Sequence, residues 1–317
     1  MREITVQVER LRALNAPPDR VWSLLSSPAA WSLRPLRFAF DVPGPLAGAG
    51  RLRCVLGTVG QVTNCAVLEA GEETPGQAVC WLRRDRLPTG NQAYTLSVRP
   101  GQRGTTACIA VRDVVPRESR AGWKTRWEAE LGIWLDALQA TVEGQRPWPG
   151  AKIPKDVRQA CSARPAAGAY GGASAEVLIG APLGVVWEAV WSPETSRSLN
   201  PTLVAYAGHV PGTPQREVGE MQYCICRADG RLTADVHVVS EFAYQQSALT
   251  QRVGPPHTQV LHRLASVAGG TRLTLTFRWP EGLLKTDNQD LRRSLTELLR
   301  KNANGYQAII ERSAGAA

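Results

Sequence analysis

Sliding the chain against itself by 165 residues brings two stretches into register, and this self-similarity limits the fold more than any single motif does. Ala16-Pro17 meets Ala181-Pro182, Val21-Trp22 meets Val186-Trp187, and Ser27-Pro28 meets Ser192-Pro193. After one inserted residue, Leu33 and Pro35 meet Leu199 and Pro201. Each stretch follows a strand-like segment, Ile4–Leu14 in the first and Ala175–Ile179 in the second. The order strand, Ala-Pro turn, short helix, Ser-Pro stop therefore occurs twice, and the chain is expected to hold two copies of one fold.

A chain of 317 residues, 43% hydrophobic, is long enough for a packed core in each copy. The expected division is a first domain over residues 1–145, a linker over 146–173 and a second domain over 174–317. The linker holds RPWPG and ARPAAGAYGG, whose prolines and glycines interrupt regular structure, with room for one helical turn at Val157–Cys161.

In the first copy, Ala16-Pro17-Pro18-Asp19 reads as a helix start, with proline where a missing N–H does no harm. Strand-like runs follow at Arg51–Thr58, Gln61–Ala70, Gln77–Arg83, Ala93–Arg99 and Thr105–Val114. Leu52, Cys54 and Leu56 share one face, and Arg51, Arg53 and Val55 the other, as in an antiparallel sheet with one covered face. Past Pro116 the period lengthens to that of a helix, with Trp123, Trp127, Leu131, Trp134, Leu135, Leu138 and Val142 forming one stripe. The second copy repeats the plan, with strands at Glu217–Ala228, Gly230–Phe242, Ser247–Val253, Thr258–Val267 and Gly270–Trp279 and a last helix over Asp290–Glu311. That helix places Leu291, Leu295, Leu298, Tyr306 and Ile309 on one face, interrupted by Asn302 and Gly305. The fold class is α+β: two tandem units, each a curved antiparallel sheet around a long carboxy-terminal helix.

These features resemble the helix-grip (START/SRPBCC) superfamily, which includes START lipid-binding domains, polyketide aromatase/cyclases, birch-pollen-allergen-like proteins and Hsp90-activator-like domains. The resemblance is carried by APPDRVWSLLSSPAAW and APLGVVWEAVWSPETS, each after a strand, and by the terminal amphipathic helices. The ending GWKTRWEAELGIWLDALQATVEG is most similar to the Hsp90-activator-like subgroup. The tandem arrangement also resembles di-domain aromatase/cyclases, which implies a pocket that folds a polyketone chain and eliminates water without metal or other cofactor. One scaffold serves transporters, sensors and enzymes, so function has to be sought in the residues of the cavity.

Ten tryptophans against four phenylalanines suit either a core or the wall of a pocket for a flat ligand. The expected ligand wall is Trp81, Tyr94, Trp123 and Trp127 in the first copy and Tyr223, Trp279, Asn302 and Tyr306 in the second. Arg53, Asn64 and Arg112 read as solvated strand residues that reach inside only if the register is shifted by one. Candidate acid–base groups are His237, Glu241, His262 and Asn302, with Asp235, Tyr244 and Arg263 nearby. Because Leu232, Ala234, Val236 and Val238 form a uniformly apolar face, the face of Thr233, Asp235 and His237 reads as the wet side of its strand.

The formal charge of +9 comes from scattered arginines, not a basic face, so no nucleic acid partner is expected. Seven cysteines sit mostly in apolar runs, and Cys224-x-Cys226 lacks a second pair at zinc spacing, so no metal site is expected. The absence of a long apolar run argues against membrane insertion and for a cytoplasmic protein. No GxGxxG, P-loop, GxSxG or HExxH occurs, which removes nucleotide, serine-hydrolase and zinc-protease chemistry. Three readings stay open: a binder of a hydrophobic, aromatic or polycyclic small molecule; an aromatase/cyclase or dehydratase using the same cavity; and a protein-interaction module.

Overall fold

The computed structural model describes residues 2–44, 50–59, 62–85, 92–102, 104–148, 153–162, 170–281 and 289–314. The chain separates into two compact units, built chiefly of Met1–Val59 with Cys65–Val157 and of Arg158–Arg227 with Asp235–Ala317.

In the first unit, β1 (Glu3–Leu14) leads through the Ala-Pro turn into α1 (Pro18–Leu25) and α2 (Pro28–Ser32). Then come β2 (Arg37–Asp41), β3 (Leu52–Val59), β4 (Val62–Thr74), β5 (Ala78–Arg83), β6 (Ala93–Gly101), β7 (Gly104–Pro116) and the long α3 (Arg120–Val142). The seven strands form one sheet in the order β1-β7-β6-β5-β4-β3-β2. Every described neighbour pair in it runs antiparallel.

The stretch between the copies holds α4 (Lys155–Ser162), with Val157 and Cys161 buried. Its segments 149–152 and 163–169 lie outside the described residues.

The second unit repeats the order with β8 (Tyr170–Ile179), α5 (Leu183–Trp191), α6 (Pro193–Leu199), β9 (Val204–His209), β10 (Met221–Ala228), β11 (Arg231–Ala243), β12 (Ser247–Arg252), β13 (Gln259–Val267), β14 (Gly270–Pro280) and α7 (Gln289–Ala314). Its sheet order is β8-β14-β13-β12-β11-β10-β9. Each unit is a helix-grip fold.

The repeated Ala-Pro turn has a physical cause in both units. A buried threonine at the start of the last strand donates its hydroxyl to the alanine carbonyl: Thr105 to Ala16 at 2.7 Å, and Thr271 to Ala181 at 2.8 Å. A carbonyl removed from water at the turn is thereby satisfied.

Three sequence expectations are corrected. The Ser-Pro pairs do not simply stop a helix: Ser27 and Ser192 are the N-cap positions of α2 and α6, with Pro28 and Pro193 in the first turn. Each sheet also has one more strand than predicted. In β2 both faces are covered, with Phe38, Ala39 and Phe40 all buried, so the alternation that marks a half-exposed strand is missing. In α7 the buried stripe is Leu299, Ala303, Tyr306 and Ile310, one residue round from the predicted face, and Leu298 is 49% exposed. Gly305 faces α6 so closely that a Cβ there would lie 2.5 Å from the Leu199 side chain, so the glycine serves close helix packing.

No helix among the described residues is long and apolar enough to cross a membrane.

Candidate functional site

The space between sheet and long helix is treated differently in the two units. In the first, the described side chains pack across it. Trp31 packs its ring 4.8 Å from Trp134 and 4.9 Å from Tyr94, and Tyr94 lies 5.8 Å from Trp127. Trp134 donates its indole N–H to the Ala30 carbonyl at 2.6 Å. Trp81, fully buried, carries the Arg53 guanidinium 4.3 Å above its ring. Trp81, Tyr94 and Trp127, expected on a ligand wall, are therefore buried in the core cluster of this unit. Trp123 packs at its edge and donates to Asp113 at 3.3 Å.

Arg53 is corrected as well. It is 0% exposed and makes a two-pronged ion pair with Asp41 while donating to the Ser26 and Ser27 carbonyls at 3.0 and 3.1 Å. Asn64 and Arg112 are exposed, as expected.

In the second unit a cavity of about 360 Å³ lies between the sheet and α7. Its apolar wall includes Val190, Trp191, Leu199, Leu275, Phe277 and Leu299, and its polar groups are Ser196, Asn200, Gln222, Tyr223, Cys224, His237, Thr250, His262, Asn302 and Tyr306. No Asp, Glu, Lys or Arg is among the lining residues. Of the predicted residues, Tyr223, His237, His262, Asn302 and Tyr306 come together here.

Two do not. Trp279 packs into the core beside Phe277, at 6.1 Å between rings, off the cavity wall. Glu241 is exposed, because a bulge between Val239 and Glu241 turns Phe242 toward the core side of β11 and the carboxylate away.

The strand face of His237 is thus the inner one, contrary to the wet-side expectation. Apolarity of the opposite face misleads because Val236 and Val238 are themselves buried, so neither face of this strand is the solvent face.

Matching the two sheets by strand register shows how the cavity arises. Trp81 pairs with Tyr94, and at the corresponding place Thr250 pairs with Val260. Leu68, opposite Arg83, corresponds to His237, opposite Arg252. Leu96, opposite Ile109, corresponds to His262, opposite Leu275. On the helices, Trp31 lies four residues after Ser27 as Ser196 lies four after Ser192, and Trp134 matches Tyr306 by the shared spacing of buried residues. Two indoles give way to a serine and a tyrosine, a third to a threonine, and two leucines to histidines.

The electrostatics follow from enclosure. Burial, then the neighbouring His237, pulls His262 down to about 4, and burial likewise lowers His237 against the pull of Asp235. Burial pushes Tyr306 up to about 12, and Cys224 up to about 12 with added effect from Cys226 and Asp235. At neutral pH the wall therefore presents neutral imidazoles, a protonated phenol and a thiol. The cavity offers hydrogen bonds without charge. The His262 Nδ1 has no hydrogen-bond partner within the protein, and neither has the indole N–H of Trp191. Trp191 stacks on Trp187 at 5.7 Å with rings nearly parallel, and Phe242 meets both edge-on. No group of three or more potential metal ligands occurs among the described residues.

No protein-family model matches the chain, and no curated protein matches it. Among solved structures, the chain is similar to the di-domain ARO/CYC BexL from the BE-7585A biosynthetic pathway, with 15% identity over 97% of this chain and 98% of that one and a TM-score of 0.35. It is similar to the di-domain ARO/CYC StfQ from the steffimycin biosynthetic pathway, with 12% identity over 98% and 99% and a TM-score of 0.35. Ara h 8.0201 covers 45% of this chain with 99% of its own length, at 10% identity and a TM-score of 0.38. Likenesses at this level say nothing of activity.

Proposed function

We propose that the second unit binds an uncharged, flat, oxygen-bearing hydrophobic molecule between its sheet and α7, and that the first unit is a filled structural counterpart. The observation that carries this reading is a cavity of about 360 Å³ with polar groups on several sides and no charged side chain on its wall. Ligand pockets span about 300–1,000 Å³ and combine apolar walls with a few placed polar groups. An ionised ligand entering this one leaves water and meets no countercharge, whereas carbonyl and hydroxyl groups meet Tyr306, Asn302 and the two imidazoles.

The test is titration of the protein's tryptophan fluorescence with a panel of uncharged polycyclic aromatics and fatty acids. Saturable quenching by a neutral polycycle, diminished in Trp191→Phe and absent with ionised fatty acids, is expected. No saturable response across the panel overturns the reading.

A second reading, an aromatase/cyclase or dehydratase, is supported by the convergence of His237, His262 and Tyr306 on one cavity. Proton transfer works best from a group whose pKa lies near the working pH, and about 4 leaves His262 a weak base. On this reading His237 takes the proton and the Tyr306 phenol donates to a substrate carbonyl. Turnover of a poly-β-ketone mimic, lost in His237→Leu while binding persists, is the expected result. Binding without turnover in the unaltered protein leaves the first reading alone.

A further inference from the structure

On α7, Leu298 both lines the cavity and is 49% exposed, so the cavity reaches the surface there. One helical turn on, Asn302 also lines it, and across from it Asn200, at the end of α6, offers its amide N–H₂ to the Asn302 carbonyl oxygen at 3.5 Å. This is a neutral contact at the outer limit of a hydrogen bond.

The first unit treats the same place differently. Arg34 follows Leu33 as Asn200 follows Leu199, and Glu130 lies three residues after the buried Trp127 as Asn302 lies three after the buried Leu299. There Arg34 and Glu130 form an ion pair, and the guanidinium sits 5.6 Å from the Trp127 ring and 5.1 Å from the Trp134 ring. Arg34 is only 7% exposed. An ion pair whose guanidinium is buried against two indoles, even with its carboxylate partly exposed, resists separation more than one long neutral hydrogen bond does.

We propose that Asn200 and Asn302 are the entrance to the second unit's cavity, and that Arg34 with Glu130 is the plugged form of the same entrance in the first. The proposal rests on the binding reading above and adds where the ligand passes. Two neutral amides can part and exchange hydrogen bonds with a carbonyl- or hydroxyl-bearing ligand in transit, which an ion pair does only at large cost.

The experiment transplants the plug. N-phenyl-1-naphthylamine, an uncharged flat fluorophore, is mixed with the full chain in a stopped-flow instrument, comparing the unaltered protein, Asn200→Arg/Asn302→Glu and Asn200→Ala. An entrance controls passage in both directions, so the double variant is expected to slow association and dissociation alike by about tenfold or more, whatever the loss of the Asn302 contact does to Kd, and Asn200→Ala to speed both several-fold. Unchanged rates in both variants overturn the proposal. So does weaker binding that comes from faster dissociation alone, which would make these side chains holders of the ligand. Where the double variant melts out by circular dichroism, unchanged rates in Asn200→Ala suffice to overturn it. An unaltered protein that does not bind this probe, but binds another neutral polycycle, shifts the same comparison to that molecule. One that binds none of them overturns the binding reading and the entrance with it.

Discussion

Trp31, Trp81, Trp134, Leu68 and Leu96 in the first unit stand where Ser196, Thr250, Tyr306, His237 and His262 stand in the second. The strands and helices that carry them follow the same order and the same sheet topology. Five side chains therefore decide whether the grip of sheet on helix closes on itself or leaves room. The contrast extends to charge at the wall: the filled unit encloses a cation, Arg53, paired with Asp41, where the hollow one has Gln222 on its wall, donating at 2.8 Å to Glu220, a buried carboxylate that is not among the lining residues. A core can hold a buried charge if every donor is met, but a ligand cavity that changes its contents cannot rely on that.

The largest effect should come from breaking the filled unit. Trp134→Ala removes an indole packed on Trp31 and is expected to cost about 3–5 kcal/mol, read as a fall in the denaturant midpoint. A cost below about 1 kcal/mol would mean the first interior is looser than its contacts imply.

Next comes pH. His262 lies at about 4 in the folded chain against 6.5 unfolded, so between those values the unfolded chain holds more protons, and stability falls as pH drops through that window. The loss is on the order of 3 kcal/mol for this residue. His262→Leu, which restores the residue of the filled unit, should flatten that slope while leaving stability above pH 7 nearly unchanged or raised. Denaturant melts at pH 4.5 and 7.5 measure it.

Converting the hollow unit toward the filled one should abolish binding. Ser196→Trp is expected to weaken a neutral polycycle by about thirtyfold or more, about 2 kcal/mol, by fluorescence titration. Unchanged affinity would place the ligand elsewhere. The smallest change is Tyr306→Phe, which removes one hydroxyl and should weaken an oxygen-bearing ligand by about three- to tenfold, while leaving a plain hydrocarbon unaffected.

The repeat, the sheets and the two long helices were legible because each is written in a periodicity. What escaped has definite causes. β2 lacks alternation because Phe38, Ala39 and Phe40 are all buried. The alternation of its strand points His237 to the wrong face because that strand is covered on both sides and then bulges before Phe242. Of the aromatic residues expected on a ligand wall, the tryptophans of the first copy became its core, since an indole fills space as readily as it lines it. The signal that separates the two uses was available in the repeat itself: where one copy has tryptophan or leucine, the other has serine, threonine or histidine.

Gly305 carries a lesson for anyone engineering this chain. Replacing a helical glycine with alanine is a standard stabilising move, worth up to about 1 kcal/mol in an exposed helix. Here the added methyl would meet the end of the Leu199 side chain, which would have to turn aside. In a saturation-mutagenesis library, position 305 should favour small residues, while its exposed neighbours Asn304 and Ala308 accept most replacements. A consensus-style design that swaps this glycine for alanine would displace Leu199, a residue of the cavity wall, and so set a change in the cavity against the gain in the helix.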